Sequence, residues 1–156
     1  MAAPPKAVAR QVAQGIADLL TAQNFSQPLI ASREWIAVND TDEMESYLVQ
    51  VVPEDRRTVT RASRGTDKHA FVVAVTIQKR LIGRNEGEIA PVKACDAAAD
   101  FAQEIEDFLL DVETSTIATE RGHATPLEAE VAWDKERLET QGVFAVNVAV
   151  SYVLMR

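Results

Sequence analysis

The chain has 156 residues, 47% apolar and 26% charged, enough for one domain to bury a core without help from disulfides or metals. One cysteine and two histidines exclude a disulfide framework and a thiolate zinc site, and no apolar run approaches the ~20 residues that span a bilayer. The net charge of −8 argues against nucleic acid as the main ligand, but it is unevenly spread: residues 1–55 carry 3 basic and 8 acidic groups, 56–93 carry 9 and 3, and 94–156 carry 4 and 13, so a basic middle that keeps the phosphate option open lies between acidic flanks.

In chain order, the start Met-Ala-Ala-Pro-Pro-Lys lacks a basic stretch followed by an apolar one, so no secretory leader is expected and cytoplasmic folding fits. Val8, Val12, Ile16, Leu19 and Leu20 then recur at helical spacing, which predicts an amphipathic helix over Lys6–Ala22, with Pro4 and Pro5 near its first turn. Gly15 inside it costs about 1 kcal/mol relative to alanine and permits close packing. Asn24, Ser26 and Pro28 break the helix, and Leu29–Val38 reads as extended. An acidic loop, Asn39–Ser46, leads into a strand, Tyr47–Val52, that Pro53 is expected to end. Glu54–Arg64 is β-prone but polar on both faces, an exposed edge strand or arm, and Gly65-Thr66-Asp67 turns it back as a hairpin.

Lys68–Leu81 is the stretch around which the chain is organised. Phe71, Val73, Val75 and Ile77 form a core face, while Ala70, Val72, Ala74 and Thr76 make a second face that is small or apolar over part of its length. That second face needs a cover, either a helix or another subunit. Gly83–Ala90 is a polar loop, and Pro91 opens a second helix whose apolar stripe holds Val92, Cys95, Ala99, Ala102, Ile105, Leu109 and Val112. Asp96, Asp100, Glu104, Asp107 and Asp111 form a carboxylate stripe on its other side. Thr114–Pro126 reads as a loop, Ala129–Trp133 as a strand with one wet face, Asp134–Leu138 as a helical turn, and Val143–Leu154 as a strand matching the first and lying beside it. The expectation is a single α+β domain over residues 1–156: a mainly antiparallel sheet of about four to five strands, two helices packed on it, and an extended β-hairpin arm.

No spacing specifies catalysis. The carboxylate stripe runs over some 22 Å, at about 1.5 Å rise per residue, too long to gather round one cation, so a solvated or interface face is the simpler reading. The acidic loop 39–46 with Lys79 allows a rival reading as a small metal-dependent hydrolase or nuclease, and a ligand-binding or regulatory monomer is a third. His69 and His123 have no nucleophile motif nearby, and Cys95 fits a small buried hydrophobe. No phosphate-binding glycine loop is present, and no cofactor or metal is expected. The arm residues Arg56, Arg57, Arg61 and Arg64, with Lys68, could bind phosphate. They could equally lie on the stripe Asp100, Glu104, Asp107 and Asp111 of a neighbouring copy, a head-to-tail contact that closes by rotation.

Tyr47-Leu-Val-Gln-Val-Val-Pro53, Ala62-Ser-Arg64 and Phe71-Val-Val-Ala-Val-Thr-Ile-Gln-Lys-Arg80 resemble the strand patterns of a group of small tailed-phage proteins. Asp134, Leu138, Phe144 and Tyr152 lie on that group's closing pattern, whereas Ala74, Val146 and Val153 depart from it. The resemblance is to neck or tail-completion proteins related to tail terminators. It implies a non-enzymatic virion protein assembled in the host cytoplasm, with a sheet flanked by helices. It also implies a homo-oligomeric ring, commonly of about six subunits, that contacts the tail tube and the head connector or adaptor. DNA would pass through such a ring without specific binding, and no membrane is involved.

Overall fold

The computed structural model describes residues 7–36, 46–81 and 92–155, with backbone alone at 55–57. Six strands form one sheet: β1 (Leu29–Arg33), β2 (Tyr47–Ser63), β3 (Thr66–Arg80), β4 (Ile117–Thr119), β5 (Gly122–Trp133) and β6 (Val143–Met155), in the order β1-β2-β3-β6-β5-β4. The two apolar strands predicted to sit together do so, β3 pairing antiparallel with β6 from Lys68↔Met155 to Arg80↔Val143. Val73 opposes Val150 and Val75 opposes Val148, all essentially without solvent contact, because both neighbouring strands and a helix layer cover them.

The helices are α1 (Val8–Ala22), α2 (Val92–Leu110), α3 (Val112–Ser115) and α4 (Lys135–Gln141). Val8, Val12, Ile16 and Leu20 of α1 and Ala98, Phe101, Ile105 and Leu109 of α2 join the large strand residues in one core on one side of the sheet. Gly15 is where α1 approaches the sheet edge: a Cβ there would lie 2.5 Å from Ile117 Cγ2 of β4. Phe25, just after α1, sets its ring edge-on to Phe108 at 5.3 Å and to Phe101 at 6.2 Å, joining the two helices.

The expected α+β class holds, with corrections of size and sense. Among the described residues the sheet has six strands rather than four to five, and β1 runs parallel to β2, from Leu29↔Tyr47 to Arg33↔Val51. Among the described residues there are four helices: the two expected, the 7-residue α4 where a helical turn was expected, and the 4-residue α3. Pro53 does not end its strand: it sits beyond the last β1 pairing and just before a register shift, where β2 makes fewer ladder demands, so β2 runs on into the arm. The hairpin is as expected, closed at Gly65 with φ 83°.

The stretch Thr114–Pro126, expected as loop, contains the end of α3, all of β4 and the start of β5; its turn polarity masked a short hairpin that Gly122, at φ 138°, permits. Helix α2 stops at Leu110, because Asp111 takes the cap of α3 by accepting from Glu113 N at 3.0 Å and Ser115 Oγ returns to Leu109 O at 2.9 Å. Val112, expected on the apolar stripe, is therefore exposed; Val92, the first residue of α2, is exposed as well, and Cys95 is only partly buried. The predicted Lys6 start with Pro4 and Pro5, the loops Asn39–Glu45 and Gly83–Ala90, and Pro91 lie outside the described residues.

Candidate interaction site

Alternation in the strands places two chemically different faces on the sheet. The face away from α1 and α2 holds Leu48, Gln50 and Val52 of β2, Ala70, Val72, Ala74 and Thr76 of β3, and Ala145, Asn147, Ala149, Ser151 and Val153 of β6. Ile30 continues it on β1 and Met155 at the end of β6, with 61% and 48% of their surfaces exposed. Glu128 and Glu130 of β5 place carboxylates along one side of this face. Among the described residues only α4 lies near this side, at the corner where β6 begins.

That corner is specifically built. Asp134 caps α4 by accepting from Arg137 N at 3.1 Å, and Gly142, left-handed at φ 66°, ends the helix. The cap orients Arg137 over the sheet, where its guanidinium Nη1 donates to Oε1 of Gln78, a side chain with no solvent exposure. Burial pulls the Arg137 pKa below its usual value, and the Asp134 charge opposes that shift. Beside it, Trp133, Asp134, Lys135, Leu138, Phe144 and Ala145 line an apolar socket of about 110 Å³, with the Trp133 ring edge-on to Phe144 at 5.4 Å and 48% of Trp133 exposed.

The charged groups expected at an interface fall out unevenly. On the arm, Arg61 and Arg64 are exposed, but Arg61 Nε lies 3.5 Å from Asp67 Oδ1 across its own hairpin; the side chains of Arg56 and Arg57 lie outside the described residues. On the stripe, Asp96, Asp100, Asp107 and Asp111 are exposed. Glu104 is half-buried and used within the chain, accepting from Ser26 N at 2.9 Å and from the Ser26 hydroxyl, which pins the segment after α1 to α2. Asp107 accepts from Gln103 Nε2 at 2.9 Å, and Asp111 lies beyond the helix as a cap.

The other candidates are also placed. Lys79 lies over the Tyr47 ring, 4.6 Å from its centroid, while the loop residues Asn39–Glu45 proposed to act with it lie outside the described residues. His69 is buried in β3 and His123 is exposed at the start of β5. Among the described residues no group of three or more His, Cys, Asp or Glu is placed to hold a metal ion, and no helix is long and apolar enough to cross a membrane. The corner around Arg137 was not anticipated. Its available signal was Asp134 as a helix cap and Gly142 as a helix stop, which bound α4 but do not tell that Arg137 reaches Gln78.

No family model and no curated protein matches the chain. Solved structures do match: one, a protein that carries a serial designation, superposes with a TM-score of 0.50 at 11% identity, covering 94% of this chain and 92% of its own. At that identity the likeness is one of fold.

Proposed function

We propose that the chain is a non-enzymatic virion protein of a tailed-phage neck. It forms a ring, commonly of about six copies, that completes or terminates the tail tube and joins it to the head connector. The observation that carries this reading is the open face of the sheet. A face rich in alanine and valine between exposed Ile30 and Met155 is poorly suited to permanent contact with water; among the described residues α1 and α2 occupy the opposite side, and a neighbouring subunit is the cover that this reading assigns. The strand patterns that resemble neck proteins lie in β2, β3 and β6 of this sheet, with Phe71, Phe144 and Tyr152 on the face that α1 and α2 cover.

The net charge of −8 suits a bore through which DNA slides without sticking, and assembly takes place in the host cytoplasm before the ring joins the virion. Light scattering on the full chain tests the reading. The expected result is a mass that is a fixed multiple of 17.1 kDa over a wide concentration range. A monomer at every concentration would overturn it.

A further inference from the structure

We infer that the β2–β3 arm of one copy seats in the socket at Trp133, Leu138 and Phe144 of the next, with Val59 as the apolar contact; this rests on the ring reading and names the groups that join its subunits. The socket is apolar and, at about 110 Å³, somewhat smaller than the ~150 Å³ cavity that takes up benzene in a protein core, so it suits one branched aliphatic side chain. Val59 is such a side chain, 49% exposed on an arm that is otherwise polar.

The flanking charges are complementary. Residues 56–68 carry five basic groups and one acidic, while residues 128–139 around the socket carry five acidic groups and two basic, of which Arg137 is engaged with Gln78. This partner differs from the expected carboxylate stripe of α2, in which Asp100, Asp107 and Asp111 are exposed and Glu104 is tied to Ser26.

The register makes the contact head-to-tail. Val59 pairs with His69, which pairs with Leu154, so the arm contact stands level with the end of β6, whereas the socket is built on Phe144 and Ala145 at its start. Ten strand residues separate the two levels, about 33 Å at ~3.3 Å per residue, and they lie on opposite lateral sides of β6. No chain can fill its own socket, and a contact joining diagonal corners repeats from copy to copy until the rotation closes.

The test is cross-linking with a short bismaleimide in a Cys95→Ala background. Val59→Cys combined with Lys135→Cys should give a ladder of covalent oligomers on a denaturing gel, and each single variant should give none. Both positions are exposed, and circular dichroism checks their folding; Arg61→Cys, at a side chain 76% exposed, replaces Val59→Cys if that variant misfolds. Val59→Asp should also raise the concentration at which the assembly half-forms by about tenfold or more, since a carboxylate would enter an apolar socket. An assembly of unchanged mass with no ladder would overturn the arm-in-socket contact and leave the ring standing. A monomer at every concentration would overturn both.

Discussion

At the scale of single residues the core is decided by strand alternation. Val73 and Val148 lie in the two central strands with no more than 1% exposure, so Val73→Asp or Val148→Asp places a carboxylate where neither water nor a cation reaches it. The cost is several kcal/mol against a typical total of roughly 5 to 15, and the expected outcome is a chain that fails to fold; a cooperative melt from either variant would contradict the placement. Tyr152 shows the opposite sign. Its ring stacks on Phe71 at 6.0 Å, but its hydroxyl is buried without a hydrogen-bond partner among the described residues, and burial pushes its pKa well up. Tyr152→Phe should therefore leave stability unchanged or raise it by about 1 kcal/mol in denaturant unfolding. The large-residue pattern of β3 and β6 was legible because period two with bulky apolar groups has one reading. The buried hydroxyl was not, because sequence does not tell whether a tyrosine tip reaches a partner.

At the scale of elements, two tethers fix the helices, one to the segment that follows α1 and one to the sheet. Glu104 binds Ser26, 78 residues away, so the carboxylates of α2 are not equivalent: removing Asp96 and Asp100 should be almost neutral, while Glu104→Ala should cost about 1 to 2 kcal/mol, read as a lower unfolding midpoint. Equal effects from the three would show the tether to be unimportant. Arg137 and Gln78 form the second tether, joining α4 to β3. Arg137→Ala should cost about 1 to 3 kcal/mol by leaving the Gln78 carbonyl unpaired, and in a Gln78→Met background the same change should cost clearly less.

The stripe was legible as a helical face, but its division into tethered and free members depends on which loop crosses it, and that is long-range information. The hairpin of β4 and β5 was hidden for a related reason. Strand β4 has only three residues and the start of β5 carries turn-forming ones, and long-range pairing of β5 with β6, together with packing of Ile117 against Gly15, fixes them in the sheet.

At the scale of the whole molecule the described residues give the sheet one face filled by α1 and α2 and one face that they leave open, and the open one is the basis of the functional account. Val72 lies on it and is half-buried, so Val72→Lys should leave the thermal midpoint almost unchanged while disrupting assembly. At about 1 M salt the Debye length shrinks to about 3 Å, and the assembly should weaken without dissolving, because exposed ion pairs contribute only about 0 to 1 kcal/mol each while apolar area supplies the rest. The sequence showed that the second face of β3 wanted a cover but left open whether a helix or another subunit provided it. The structure places both long helices on the other side. The measurement that bears most directly on the central claim is electron microscopy of the purified full chain in negative stain: closed rings of uniform diameter with a central bore are the predicted result, and a field of single 17.1 kDa particles would contradict it.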